Sequence, residues 1–303
     1  MTGATAPDFE AHRGYLTGLA YRMLGSVADA QDIVQDAYIR WHDAAPDGVR
    51  SPRAYLSQVV TRLCLDQLKS ARRRRETYVG PWLPEPLLED PALATDPDEP
   101  IAHDVSVALM LALERLSPLE RAAFILKDVF DVGFDEIARS LDRDEAACRQ
   151  LVARARAHIR QGRPRYEVAE DEGMRIAEAF FVASRQGDVA GLRDLLAENV
   201  VLRADGGGRK RSATRPLLGV DHVSRFFAGI AGKAERAGVS LTVWNRLMAI
   251  NGMPGFVSVE ADGTLQTTTL EISEGRIAAI YIMRNPDKLS HIQPLVPESV
   301  PYR

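Results

Sequence analysis

Two hydrophobic periods divide this chain. Up to about residue 162, apolar residues recur at helical spacing; from about 239 to 284 they alternate with polar residues at the period of two that strands require. Neither an all-α nor an all-β domain accommodates both. Helices first and a run of antiparallel strands afterwards call for an all-helical front followed by a separate α+β domain. The 303 residues are enough for two or three domains, each with its own core.

The helical front has legible starts and stops. Residues 9 to 43 read as helices, and "DAQDIVQDAYIRWHD" puts Ala30, Val34, Ala37, Tyr38 and Trp41 on one side with Asp29, Asp32 and Asp36 on another. Ser51 and Pro52 suit the N-cap and first position of the next helix. Its stripe of Leu56, Val59, Val60, Leu63 and Leu68 runs into Arg72, Arg73, Arg74 and Arg75. Residues 77–100 are acidic, proline-rich and aperiodic, the composition of a linker. Ser117-Pro118 with Glu120 opens another helix, and "GFDEIARSLDRDEAACRQLVARARAHIR" gives a short helix, a tight turn and a longer helix.

The net charge of −4 hides strong segregation. Between 53 and 75 the only acid is Asp66, among Arg53, Arg62, Lys69 and Arg72 to Arg75; from Glu76 through Glu114 there is no lysine or arginine. Arginine returns densely from Arg139 to Arg165. A partner feels the local field, so a negative total does not exclude nucleic acid. In the last of the front helices Ala147, Leu151 and Ala155 face inward, and Asp144 sits at the N-cap. Arg149, Gln150, Ala153, Arg154 and Arg156 are left outward, a set able to read base edges in a major groove and pair with phosphates.

Taken together, these segments resemble an RNA polymerase sigma factor of the extracytoplasmic-function (ECF) type, over about residues 8 to 162. The resemblance implies that "DAQDIVQDAYIRWHD" is the helix that docks on core polymerase, through Asp29, Asp32, Ile33, Gln35 and Asp36. It implies that "RAYLSQVVTRLCLDQLKSARRRR" opens and binds the −10 element, with Tyr55, Arg62, Lys69, Arg72, Arg73, Arg74 and Arg75 stacking on bases and tracking phosphates. The helix-turn-helix would then bind the duplex −35 element through Arg149, Gln150, Arg154 and Arg156. For Tyr38 and Trp41, which lie on the apolar stripe, core packing is the better expectation.

After Arg165 come helices at about 171–186, 189–197 and 219–236, then strands separated by Asn-Gly, Asp-Gly and Glu-Gly turns. This part resembles a SnoaL-like domain of the nuclear-transport-factor-2 (NTF2) superfamily, a cone of helices wrapped by a curved sheet. ECF factors fused to such a domain, the sigma J type, carry "WLPEP", "DGGGK" and "NPDKL" motifs; here they read "WLPEP" (Trp82, Leu83, Pro84, Glu85, Pro86), "DGGGRK" (Asp205, Gly206, Gly207, Gly208, on to Lys210) and "NPDKL" (Asn285, Pro286, Asp287, Lys288, Leu289). Arg209 stands where the pattern has lysine, and the basic character survives. Prolines hold Trp82 and Leu83 in a low-entropy extended segment, so the expectation is a dock on the C-terminal domain that sets polymerase and promoter access. The plainer alternative is that Trp82 packs on neighbouring helices.

The expected organisation is therefore multidomain, with two all-α sigma modules and an α+β SnoaL/NTF2-like cone domain. Its boundaries are 8–76, a linker 77–100, 101–165, 170–290 and a tail 291–303. Cys64 and Cys148 build neither a disulfide framework nor a metal site, and no cofactor motif is present. No signal-peptide or transmembrane pattern occurs, so the expected location is the cytoplasm. The superfamily of the tail includes enzymes with a pocket acid or base, for which Asp205, Asp221, His222 and Tyr281 are the available groups. Their spacing supports no arrangement, and the expectation is no catalysis; a small-molecule ligand in a cone cavity stays among the expected partners, beside core polymerase and promoter DNA. The competing reading is a helix-turn-helix regulator that binds duplex DNA without polymerase.

Overall fold

The structure is a computed structural model in which residues 9–44, 49, 51–76, 78–88, 105–160 and 168–302 are described. The chain forms two compact units, one from Met1–Thr77 and Ala92–Arg163, the other from Tyr78–Pro91 and Pro164–Arg303. The tryptophan segment thus belongs to the second unit, although the first unit continues after it.

The helical unit contains α1 (Arg13–Leu24), α2 (Val27–Ala44), α3 (Pro52–Glu76), α4 (Val107–Leu113), α5 (Pro118–Phe124), α6 (Phe134–Leu141) and α7 (Glu145–Arg160). Gly25, with φ 72°, ends α1 and returns its N–H to the Tyr21 carbonyl; Ser26 then accepts from the Asp29 N–H to start α2. Ser117 and Glu120 cap α5 reciprocally, with Pro118 in the first turn. Helix α5 continues as a π-helical turn over Ile125–Val129. Leu16, Leu19, Met23, Val34, Ala37, Trp41, Leu56, Val60 and Cys64 are buried. Trp41 is therefore a core residue, while Tyr38 is half-buried with its ring edge-on to Phe9.

Among the described residues two cations lie inside this unit, Arg22 and Arg121. The Arg121 side chain is 3% exposed, donates from Nη1 to the Met23 carbonyl at 2.8 Å and pairs with Glu114. Burial pulls its guanidinium down to about 9. A buried charge without its partners is far more costly than a well-packed apolar substitute.

The second unit contains α8 (Glu170–Gln186), α9 (Val189–Leu195), β1 (Leu196–Asp205), β2 (Leu217–Leu218), α10 (Val220–Ala237), β3 (Thr242–Ile250), β4 (Met253–Glu260), β5 (Leu265–Ser273) and β6 (Arg276–Met283). The sheet order is β2-β1-β6-β5-β4-β3, with β1 parallel to β6 and every other pair antiparallel. Helix α9 stops two residues short of the sequence expectation. From Leu196 onward Val200, Leu202 and Ala204 are buried at strand spacing, and pairing with β6 captures them. The three hairpins turn at Asn251-Gly252, Asp262-Gly263 and Glu274-Gly275; Asn251, Glu274 and the three glycines have positive φ. The core joins Phe180, Val223, Phe227, Phe256, Leu270, Ile280 and Ile282, with the Phe180 and Phe227 rings edge to face at 5.2 Å.

Arg121→Ala removes both the donor to the Met23 carbonyl and the ion pair to Glu114 from a buried site. The expected loss is about 3–5 kcal/mol, measured by chemical denaturation as an earlier midpoint for the helical unit, with Arg121→Met losing less than Arg121→Ala.

Candidate functional site

The helix-turn-helix is built by two terminal devices. Asp142, in the left-handed region at φ 54°, ends α6, and Asp144 Oδ1 accepts from the Ala147 N–H at 2.7 Å to start α7. Cys148, Leu151, Val152, Ala155 and Ile159 are buried, whereas Arg149, Gln150, Ala153, Arg154 and Arg156 are exposed. Each of the three arginines has an acidic neighbour. Arg149 pairs with Glu145 at 2.7 Å and lies over Phe134; Arg154 Nε is 3.4 Å from Glu120; Arg156 forks onto Asp128 at 2.6 and 3.0 Å. The Asp128 hydrogen bond pushes the Arg156 guanidinium up. Such surface pairs contribute about 0–1 kcal/mol each.

On α3, Arg62 and Lys69 are exposed, and Tyr55 is half-buried with its ring 5.8 Å from Trp41. Lys69 pairs with Asp66, and Arg62 and Gln58 reach the Arg139 carbonyl at 3.0 and 2.9 Å. The side chains of Arg72, Arg73, Arg74 and Arg75 lie outside the described residues. On α2, Asp32, Gln35 and Asp36 are exposed and Asp29 is half-buried beside the Ser26 cap. Ile33 does not share that face: at 4% exposure it belongs to the core, because it follows Ala30 and precedes Ala37 on the inward stripe. The exposed apolar residue is Ile39, at 50%, three and seven positions beyond Asp36 and Asp32 and so beside them on the helix surface. Those two spacings were its only signal in the sequence.

In the second unit the three motifs meet at one carboxylate. Asp205 is fully buried and accepts from the Tyr78 hydroxyl (2.6 Å), the Leu83 N–H (2.9 Å), Lys288 Nζ (2.8 Å) and the Gly207 N–H (3.0 Å). Lys288 also donates to the Leu83 carbonyl at 2.6 Å, and its ammonium lies 4.5 Å from the Trp82 ring centroid and 4.8 Å from that of Tyr78. Asn285 donates to the Tyr78 hydroxyl at 2.9 Å, leaving the phenol free to give its proton to Asp205. Burial, then the bond to Asp205, pushes the Tyr78 phenol upward, so it remains a donor. Gly207 has φ 59° and a β-carbon there would collide with the Asn285 side chain; at Gly206 it would meet the Lys210 carbonyl.

Leu83, Pro84, Glu85 and Pro86 are buried, while Trp82 and Pro286 are half-buried; Leu289 is buried and Asp287 exposed, 3.3 Å from Arg209. Gly208 is exposed, and a β-carbon on it would reach the Val79 side chain. The segment is held further along by contacts the motifs do not announce. His291 Nε2 meets the Pro86 carbonyl at 2.8 Å, Leu87 exchanges bonds with Asn251 (2.7 and 3.1 Å), and Leu88 bridges Ile250 at the edge of β3. Tyr78, Asn251 and His291 lie outside the three motifs and far apart in sequence, so no local pattern marks them.

The groups available for acid–base chemistry do not converge. Asp205 is occupied as described, Asp221 pairs with Arg193, and exposed His222 contacts the Leu218 carbonyl through Nδ1. Tyr281 donates to Glu271 at 2.7 Å. Among the described residues no group of three or more His, Cys, Asp or Glu side chains is placed to hold a metal ion, and no helix is long and apolar enough to cross a membrane.

The family model for Sigma-70 region 2 matches residues 9–74, and that for Sigma-70, region 4 matches residues 106–159. The chain is similar along almost its whole length to the ECF RNA polymerase sigma factor SigJ of Mycobacterium tuberculosis, 38% identical over 93% of this chain and 92% of that protein. It is 30% identical to the probable ECF RNA polymerase sigma factor SigI of the same organism, over 94% of each. The crystal structure of Mycobacterium tuberculosis SigJ superposes with a TM-score of 0.76 and 36% identity, covering 94% of this chain and 98% of that one. The helical modules followed by a mixed-sheet domain thus resemble those of SigJ, and these relatives are sigma factors rather than enzymes, a class that works with core RNA polymerase and promoter DNA. With both sigma regions matched in order and a relative matched over more than nine-tenths of each chain, the chain belongs to the ECF RNA polymerase sigma factor family and is an alternative sigma factor that directs transcription.

Proposed function

We propose that this sigma factor is controlled in cis by its own linker, which the C-terminal domain holds through Asp205. The observation that supports this is the four-donor ring around that carboxylate, drawn from residues 78–83, 207 and 288. The docked segment lies in sequence between α3 and α4, so release or capture of 78–88 changes the tether that joins the two DNA-binding modules. In this reading α2 meets core polymerase through Asp29, Asp32, Gln35 and Asp36, with Ile39 as the apolar contact. Helix α3 engages the single-stranded −10 element through Tyr55, Arg62, Lys69 and the Arg72–Arg75 run, and α7 reads the duplex −35 element through Arg149, Gln150, Arg154 and Arg156. The C-terminal domain is a regulator without catalysis, open to a small-molecule ligand, and the protein works in the cytoplasm, where its polymerase is. The domain limits of the reading are 8–76, 77–100, 101–165, 170–290 and 291–303.

Promoter-dependent run-off transcription with bacterial core polymerase tests the assignment, comparing the full chain with one ending at Arg165. Core-dependent transcripts that differ between the two are the expected result. Duplex binding without polymerase and no transcripts from either would favour an ordinary helix-turn-helix regulator.

Asp205→Ala leaves Lys288 buried without its carboxylate. Opening of the linker should rise about 10²-fold or more, the equivalent of the ~3 kcal/mol that a broken buried pair costs. Limited proteolysis within residues 78–88 reads it, and Trp82→Ala should act in the same direction with a smaller effect. Unchanged cleavage and unchanged transcription in both variants would sink the cis-control reading.

On α7, Arg149→Ala should weaken promoter binding by about 1–3 kcal/mol and relax sequence preference if it reads a base. A uniform loss with a salt slope reduced by about 1 would instead mark a phosphate contact. Binding of the polymerase holoenzyme across a salt series distinguishes the two.

A further inference from the structure

The two halves of the helical unit, α1–α3 and α4–α7, cap each other's helices. The last carbonyls of a helix have no donor inside it. At the end of α6 the Asp142 and Arg143 N–H groups both go to the Ala138 carbonyl. The Arg139 carbonyl instead takes Gln58 Nε2 at 2.9 Å and Arg62 Nη2 at 3.0 Å, and Arg62 Nε faces the Ser140 carbonyl at 3.5 Å. In return Arg121 of α5 donates to the Met23 carbonyl in the last turn of α1. Each cation sits at the negative end of the other half's helix dipole.

The two clasps differ in chemistry. Arg121 is buried and neutralised by Glu114, whereas Arg62 is exposed and faces neutral carbonyls. A guanidinium on a carbonyl at a helix terminus meets a fraction of a charge. On a phosphate it meets a full charge with bidentate geometry, the stronger arrangement. We propose that Arg62 is a nucleic-acid-released latch: it holds α3 against the C-terminus of α6 in the free protein and lets go when a DNA phosphate takes its guanidinium.

The latch rests on the assignment of α3 and α7 to the −10 and −35 elements. Those elements lie about 25 base pairs apart, roughly 85 Å at 3.4 Å per base pair. A compact unit of this size has a radius of gyration of only about 15 Å. With Arg62 3.0 Å from the Arg139 carbonyl, α3 and the helix-turn-helix cannot occupy both elements at once. Freeing Arg62 is the step that DNA itself can drive; the buried Arg121 clasp and the Phe130 ring, which meets Tyr15 and Arg22 of α1, must also part. The same residue therefore serves closure and promoter contact in turn, and by linkage whatever weakens the latch strengthens apparent DNA affinity.

The test uses the full chain with spin labels on cysteines placed at two exposed positions, Asp66→Cys on α3 and Ala146→Cys on α7; Cys64 and Cys148 are buried. Without DNA, Arg62→Ala should raise the fraction of long label distances by about tenfold, the equivalent of one charge-assisted hydrogen bond. Arg62→Lys and Gln58→Ala should raise it less, since an ammonium lacks the planar fork and Gln58 carries no charge. A short single-stranded oligonucleotide of mixed sequence should open the parent chain and add little to Arg62→Ala. Distances that ignore Arg62→Ala, or oligonucleotide-driven opening of equal size with and without Arg62, would overturn the latch. Should Arg62→Ala fail to fold, the Lys and Gln58 variants carry the same comparison. Run-off transcription on the same proteins separates the two claims: core-dependent transcripts with unresponsive distances reject the latch alone, whereas a responsive latch without transcripts rejects the promoter assignment alone.

Discussion

A buried carboxylate decides which unit residues 78–88 belong to. Asp205 has no exposure to water, and its charge is tolerable only while Tyr78, Leu83, Gly207 and Lys288 all supply donors. Those donors come from three stretches: the linker, the loop after β1 and the turn after β6. Removing one leaves the rest around an undercompensated charge, so the ring favours complete assembly over partial occupancy. Leu83, Pro84 and Pro86 are buried, the apolar part of an arrangement whose register the carboxylate sets.

Much of this was legible in residues, and the illegible part has a common cause. Local signals survived: the Ser117 capping box, the Asp144 cap, the turn glycines and the α7 stripe form as their spacing predicts. The three hairpins follow from their Asn-Gly, Asp-Gly and Glu-Gly turns, but β1 inserted parallel to β6 was not foreseeable, because pairing between residues about 80 apart leaves no local trace. The motifs pointed to the region of Asp205 but not to Tyr78 or His291, whose contacts are 127 and 205 residues away along the chain. Ile33 was assigned to a docking face by its neighbours in sequence, although helical geometry places it with Ala30 and Ala37. Ile39, outward on the acidic face, was there to be read from the same geometry.

The two units solve one problem with opposite charges. In the second unit a buried anion collects N–H and O–H donors; in the first, cations collect the spare carbonyls at helix ends. Both tie together segments distant in sequence, and both leave an ionisable group whose alternative partners are chemically obvious. A hydrophobic interface of equal strength would be harder to exchange for a charged ligand, since only the solvent competes for it.

That distinction bears on how a docked linker could govern the helical unit. The simplest mechanism is entropic: holding 78–88 shortens the tether between α3 and α4 and makes closure of the two halves easier. Treating the whole connection as a freely jointed chain gives the upper bound, and halving such a chain changes closure by about 0.6 kcal/mol. That is a factor of about three, too little for a switch. The Asp205 ring and the guanidinium clasps each involve larger energies, so effective control requires the docked segment to favour one set of clasp partners over another. The decisive quantity is therefore where residues 78–88 are held, and only secondarily how much chain remains free.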